Sequence, residues 1–459
     1  MFNNLKKEKV NKNLSLLIIV SSILFFLLYF FVQFNLFLGV LAFLIFTVFI
    51  FSLFYPLKGV LIFIVIRPLL DIFTFDEVFS LGGLQLNLAS LAGILVIFLA
   101  IYVSFKIGIK RIGEKGLNMK IFWVWLMFLS ISIISFLVSI DYMSSIREVV
   151  RFLSIFSFFI LGSILINSAS NLTKILKAIL ISALIPSLIG IYHIIYSGSI
   201  FADQEGRLAA TFAHPNMLAF YLFFVIAIAL FIFLYGFKKN ILSYFYAFLG
   251  LLFFVPLVAT YTRGAWLALI LFLMVIGVFK FRKILIISIL FFILIYASVS
   301  SLQSRVNNSF EVNDYDSSIS WRLELYKDLW KYSQDRPWLG YGLDNASLVI
   351  AANRDPHLGS IEPHNDYLKV LLETGYIGLS IYLIFLITLI LELFKKHKLD
   401  QPIRIKYFNF FLIAIVISLS VTSLGDNILN DTALQWSLWS VLGAFLSLNN
   451  HTNNFLEKE

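Results

Sequence analysis

Three short polar segments carry the residue types in this 459-residue chain that suit chemistry. One ends in Glu362-Pro363-His364-Asn365-Asp366-Tyr367-Leu368, just ahead of an apolar run. Pro363 fixes the approach there, and Asn365 or Asp366 is placed to cap a helix. An imidazole with its ordinary pKa of about 6.5 suits proton transfer at neutral pH, which makes His364 a candidate base. The second segment is Gly206-Arg207-Leu208-Ala209-Ala210-Thr211-Phe212-Ala213-His214-Pro215-Asn216, and the third is Thr260-Tyr261-Thr262-Arg263-Gly264-Ala265-Trp266. Each supplies a guanidinium, whose planar fork holds phosphate or carboxylate at two points. Every candidate also has a structural alternative. His364 suits a structural hydrogen bond, Arg207 has Asp203 and Glu205 as neighbours, and Arg263 stands between two apolar runs where an arginine can snorkel to headgroups. His214 and His357 have no spacing that argues for a metal site. The chain has no cysteine, so it offers neither a thiolate nucleophile nor a disulfide framework.

The elements that must position these residues are transmembrane. The chain is 60% hydrophobic and 13% charged, with 50 Phe, far more apolar than a soluble domain can keep from water. A spanning helix needs about 20 mostly apolar residues, and the runs here have that length. They fall near 13–32, 35–54, 58–73, 87–106, 120–139, 148–166, 173–196, 217–235, 241–260, 264–279, 284–301, 367–391, 406–424 and 432–448. The first is too long for a signal-peptide core and is read as retained. The expected fold class is all-α: a polytopic transmembrane helix bundle of about 12–14 spans with a mainly helical extracytoplasmic loop domain. Residues 1–302 and 367–459 form the bundle, with an outer loop at about 197–216, and 303–366 form the loop domain.

Charge supports that topology. With the N-terminal lysines inside, alternate connections are basic, as the positive-inside rule requires. The inner side then holds 23 Lys and Arg against 6 Asp and Glu, and the outer side 12 against 20, which together give the net charge of +9. The positive charge is therefore a topology signal and not a nucleic-acid footprint. The inner basic residues are 20 Lys and 3 Arg, whereas the outer ones are 3 Lys and 9 Arg. Orientation needs no arginine, so the outer excess suggests either an anionic ligand or ion pairs with the outer acids. In the polar domain Ile319, Leu323, Tyr326 and Trp330 recur at helical spacing, and Pro337 stops the helix before the turn Pro337-Trp338-Leu339-Gly340-Tyr341-Gly342. Beyond Asp366, Glu373 lies two turns along the same face, a membrane-embedded carboxylate and so a functional candidate. Arg67 and Asp71, four apart, are expected to pair with each other.

Taken together and in this order, the segments resemble the O-antigen ligase and polymerase superfamily of bacterial envelope glycosyltransferases. The resemblance rests on Arg207 to Asn216, Thr262 to Ala265, Arg322 with Pro337 to Gly342, His364 to Leu368, and Glu373 to Gly375. It implies a bundle of about a dozen spans capped by a helical outer domain. It also implies transfer of a glycan from an undecaprenyl diphosphate carrier to a sugar hydroxyl, with neither a nucleotide sugar nor a metal. Carried over by motif, Arg207 and Arg263 hold the diphosphate and His364 orients or deprotonates the acceptor. Arg322, Asn365, Tyr367, Glu373 and Asn216 are the expected substrate-binding residues. The expected partners are the carrier-linked glycan donor, a saccharide or glycolipid acceptor, membrane lipids and other polysaccharide assembly proteins, with no cofactor. The expected location is the cytoplasmic membrane of a bacterium, with the site on the outer side and both termini in the cytoplasm. Fixed cations suit a leaving group that gains negative charge, and a base opposite it gives single displacement with inversion. Tyr261, Trp266 and Trp321 suit sugar stacking or an interfacial aromatic belt. Ligase and polymerase differ only in acceptor, so both fit. The reading from another class is a transporter of a small anion such as bicarbonate. It is disfavoured because the charges gather at the outer rim and not at mid-membrane.

Overall fold

The computed structural model describes residues 36–81, 84–107, 116–196, 206–236, 241–279, 320–355, 360–399 and 402–448, and six positions between 282 and 293. The expected span at 13–32, most of that at 284–301, and Asp203, Glu205, Arg305, Glu311, Asp314, Asp316 and His357 lie outside the described residues.

The chain is an all-α, multi-pass membrane protein. Its elements are α1 (Leu36–Phe54), α2 (Pro56–Leu70), a short hairpin β1 (Phe79–Leu81) and β2 (Leu84–Leu86), then α3 (Leu88–Ile107), α4 (Met119–Ser135) and α5 (Tyr142–Leu165). There follow α6 (Ala169–Ser182), α7 (Leu184–Ile195), α8 (Pro215–Phe231), α9 (Ile241–Ala259) and α10 (Arg263–Phe279). The polar segment contributes α11 (Ser320–Ser333) and α12 (Ala346–Asn353), and α13 (Asp366–Lys398), α14 (Ile403–Thr422) and α15 (Thr432–Ser447) complete the chain. Among the described residues, 8 helical segments are long and apolar enough to cross a bilayer. Helix α2, where a span was expected at 58–73, has only 15 residues and carries Pro68. It runs on directly into a 3-10 turn over Asp71–Phe73, so the helical stretch covers 56–73.

Helix α15 is the centre of the bundle, with every one of its residues buried. It packs along α5, and the two backbones approach through glycine on both sides. A Cβ on Gly162 would overlap the Ser440 carbonyl, and one on Gly443 the Phe159 carbonyl. Phe and Trp side chains fill the remaining space, as where Trp436 stacks on Phe158 with ring centroids 4.5 Å apart. In the polar segment α11 buries Leu325 and Leu329 against Ala346, Val349, Ile350 and Leu372, while Leu323 and Trp330 face outward.

The polar segment joins the bundle by repairing a break in α13. Gly375 leaves the helical conformation (φ 67°, ψ −170°), which strands backbone groups on either side. The turn Pro337–Gly342 takes them up. The Tyr341 amide donates to the Leu372 carbonyl (3.0 Å), the Gly342 amide to Glu373 (2.9 Å), and the Tyr376 amide to Pro337 (2.7 Å). The approach is so close that a Cβ on Gly340 would sit 2.5 Å from the Glu373 carbonyl carbon, and one on Gly375 would overlap the Trp338 carbonyl. Gly375 thus occupies a backbone region that only glycine tolerates. Gly375→Ala should cost about 1–3 kcal/mol from conformation alone, with the overlap added. The expected result is a clear loss of protein surviving a heating series in detergent; unchanged survival would sink this account of the break.

Candidate active site

The site is assembled where four chain segments meet. The first is the segment before α8. His214 caps that helix, its Nδ1 accepting from the Asn216 amide (3.1 Å), with Pro215 in the first turn. That cap fixes Asn216, around which the polar groups gather. Arg207 Nη2 donates to Asn216 Oδ1 (2.7 Å) and to Thr262 Oγ1 (3.1 Å), while its Nε donates to the Thr260 carbonyl (3.1 Å). Asn216 Nδ2 donates in turn to both carboxylate oxygens of Asp426 (2.8 and 3.1 Å). These bonds hold the Arg207 guanidinium in one plane, which is what two-point recognition of an anion needs. Arg263 follows Thr262 directly as the first residue of α10. The next residue, Gly264, packs so that a Cβ there would meet Phe220 at 3.2 Å and Asp426 at 3.5 Å.

His364 enters from the polar segment with a left-handed backbone (φ 46°). It lines a cavity of about 230 Å³ together with His214, Asn216, Glu362, Asp426 and Asn427. Its ring meets Trp321 edge-on at 5.6 Å, its carbonyl accepts from Tyr326 (2.8 Å), and its Nδ1 is buried with no hydrogen-bond partner. Burial pushes the imidazole pKa down to about 4, opposed by the Asp426 carboxylate and assisted by the Arg322 guanidinium. His364 is thus neutral at physiological pH and able to accept a hydrogen bond or a proton. Among the described residues the four non-glycine residues with positive φ are Ala210, Tyr261, Asp344 and His364. Three of them lie in the segments that carry Arg207, Arg263 and the imidazole. Strain of this kind persists only where the surrounding structure holds it.

The fourth segment is the connection from α14 to α15, and Asp366 holds it. Its buried carboxylate accepts from Ser423 Oγ (2.8 Å) and from the amides of Ile428 (3.0 Å) and Leu429 (3.1 Å). Asn427 Oδ1 accepts from the Asn365 amide (3.1 Å), while Asn365 caps α13 through the Leu368 amide (3.0 Å). The connection presents Asp426 to Asn216.

Sequence reasoning named Arg207, Asn216 and His364, which this arrangement brings together, with Arg263 beside them along the chain. Arg322 lies over the Trp321 ring (5.3 Å), close enough for its charge to act on His364. Asn365 positions backbone and does not line the cavity. Tyr367 donates to the Ser420 carbonyl (2.7 Å), away from it. Glu373 is buried 3.9 Å from Lys369, with the Ala346 amide 3.4 Å away, and lines neither His364 nor Asn216. Sequence reasoning missed Asp426 and the anchoring role of Asp366. The signal was Gly425-Asp426-Asn427 with Asp431, acids confined to a short connection between two apolar runs on the same expected side as His364. The expected pair of Arg67 and Asp71 forms, at 2.6 Å.

Among known families, residues 248–383 match the family model described as O-Antigen ligase. No curated protein matches the chain. The matched stretch, less than half of the chain, contains Arg263, the Pro337–Gly342 turn, His364 and the break at Gly375, and together with the spanning helices it supports a membrane glycosyltransferase similar to the O-antigen ligases.

Because burial favours the uncharged ring, His364 should stay neutral on acidification from pH 8 to about pH 5 and take up a proton only near pH 4. Nitrogen NMR of histidine-labelled protein, with the resonance assigned through His364→Ala, reads this directly. A midpoint near the ordinary value of about 6.5 would contradict the burial described here.

Proposed function

We propose, with the O-antigen ligase match as the premise, that the chain transfers a glycan from an undecaprenyl diphosphate carrier to a sugar hydroxyl at the His364 cavity. The observation that carries this reading is the joining of Arg207, Asn216 and Asp426 in one hydrogen-bonded chain beside a neutral imidazole whose buried Nδ1 has no hydrogen-bond partner. A guanidinium whose plane is fixed before the reaction stabilises a departing diphosphate at little cost in reorganisation. Arg263, at the start of α10, adds the positive end of a helix dipole to the same side. The acceptor hydroxyl hydrogen-bonds His364, and its oxygen attacks the anomeric carbon. The bond to the diphosphate breaks with its electron pair on the leaving oxygen, while the hydroxyl proton passes to the imidazole. A ring held near pKa 4 is a weak base, so it orients the hydroxyl first and takes the proton late, as the attacking oxygen becomes acidic. One displacement of this kind inverts the anomeric centre. The charge stabilisation comes from guanidinium groups, so the reading calls for no metal.

A donor made of a long prenyl chain and a diphosphate requires a site at the membrane edge. The polar segment and the basic-connection asymmetry support placing that edge on the outer face of a bacterial cytoplasmic membrane, with both termini inside. Undecaprenyl diphosphate glycan, a saccharide or glycolipid acceptor and the surrounding lipid are the partners of this reading.

Replacing a positioned acid or base typically costs about 10²–10⁴-fold. In host cells expressing His364→Ala at wild-type level, transfer should fall by about 10²-fold or more, read as a gel profile of surface and carrier-linked polysaccharide. Long chains retained on the carrier identify a ligase, and single repeat units identify a polymerase. An unchanged profile removes His364 from the mechanism.

A further inference from the structure

A second, larger cavity adjoins the first. It measures about 370 Å³, within the usual range for ligand sites of about 300–1,000 Å³. Its polar wall includes Asp71, Asn87, Arg147, Glu148, Arg151 and Asp344. The two cavities share Met217 and Asn430, and the first turn of α8 divides them. Ala213 and Met217 line the larger, whereas Asn216 and Phe220 line only the smaller. Arg207 bonds to Asn216, and a Cβ at Gly264, next to Arg263, would meet Phe220, so both candidate diphosphate residues belong to the smaller cavity's side.

The charges of the larger cavity are largely compensated within its own wall. Arg67 is paired with Asp71 and Arg151 with Glu148, while Lys369 lies behind them at 3.9 Å from each of Glu148, Asp344 and Glu373. Arg147 donates to Ser144 Oγ (2.8 Å). A wall of this kind attracts no anion strongly, yet it offers donors and acceptors side by side, which is the pattern that matches hydroxyl groups. One donor remains unspent. Arg67 is 5% exposed, lines the cavity, and its Nε has no hydrogen-bond partner. The apolar part of the wall includes Trp436, held between the Arg67 guanidinium at 5.4 Å and Phe158 at 4.5 Å.

The geometry points to this cavity as the acceptor subsite, binding the uncharged pyranose whose hydroxyl is glycosylated. The inference rests on the transfer reading given above. In it the donor's diphosphate stays on the Arg207 side, and the acceptor's hydroxyl reaches His364 past Met217 and Asn430. Asp344 and Glu148 accept from sugar hydroxyls, and Arg147 and Arg67 donate to them.

Arg147→Gln and Asp344→Asn test it in the purified full-length protein. Asparagine tolerates the left-handed conformation of Asp344 (φ 58°) and keeps its size, so folding should be retained; matched thermal melts check this. The probes are repeat-unit and glycolipid-core oligosaccharides released by mild acid, and farnesyl diphosphate as a sugar-free anion. Both variants should weaken binding of one oligosaccharide at least about 5-fold, of the order of one lost hydrogen bond, and leave farnesyl diphosphate affinity unchanged. In the transfer assay the KM for acceptor should rise with the KM for donor constant. Unchanged oligosaccharide affinity, weaker farnesyl diphosphate binding, or a rise confined to the donor KM would each overturn the assignment. His364→Ala separates the two readings, because it should lower transfer by about 10²-fold or more while weakening oligosaccharide binding by no more than about 5-fold, of the order of one lost hydrogen bond. If transfer survives that change while the cavity variants still weaken oligosaccharide binding, the sugar site stands and the transfer reading falls.

Discussion

A broken helix cannot remain in a bilayer unless something in the protein bonds to its freed backbone groups, each of which costs several kcal/mol when left unpaired in hydrocarbon. The rest of the structure depends on how α13 meets that requirement at Gly375. The groups released by the break are taken up by Pro337, Tyr341 and Gly342, so the turn of the polar segment becomes part of the helix it interrupts. This fixes the polar segment against the bundle alongside the apolar contact of Leu325, Leu329 and Ile350 with Leu372. The same turn runs on into Asn345, which is fully buried and bonds Ser139, Ser145 and the Asp141 amide. The connection between α4 and α5 is tied in as well. With both ends held, the chain from Glu362 to Asp366 is left little freedom in where it places His364.

The second constraint is the cost of burying charge. Asp366, Glu148, Arg151, Lys369 and Glu373 all lie inside the protein, and each is accompanied by an opposite charge or by backbone donors. Asp366 spends its carboxylate on the connection from Ser423 to Leu429, which sets Asp426 opposite Asn216. A buried charge that loses its partner is far more costly than one that never had to be buried, so such networks hold their geometry well. Preorganisation of the Arg207 side is therefore a property of three connections and not of one loop.

These two constraints account for the shape of the polar interior. The first turn of α8 stands between two cavities, and its cap at His214 keeps it there. One cavity contains the neutral imidazole and adjoins the fixed guanidinium of Arg207, while the other has donors and acceptors in balance. Under the proposed transfer such a division suits the two substrates, since a departing diphosphate and a hydroxyl acceptor ask for different surroundings.

The sequence by itself determined the class of protein, because apolar runs of helix length admit no other solution in lipid. It also pointed to Arg207, Arg263 and His364, since a charge or an imidazole at the edge of such a run stands out. The pairing of Arg67 with Asp71 was legible for the same reason that local helical spacing is legible. Contacts of large sequence separation were not. Asp426 is 210 residues from Asn216, and nothing in either segment indicates the other. Glu373 read as a functional candidate because it is a carboxylate inside an apolar run; only the structure places it under the polar segment, 3.9 Å from Lys369 and 3.4 Å from the Ala346 amide. Only the tertiary structure decided which residues share each of these two cavities. A one-residue change in backbone conformation at Gly375 or His364 redirects everything beyond it, and the energy that holds such a change comes from partners far along the chain.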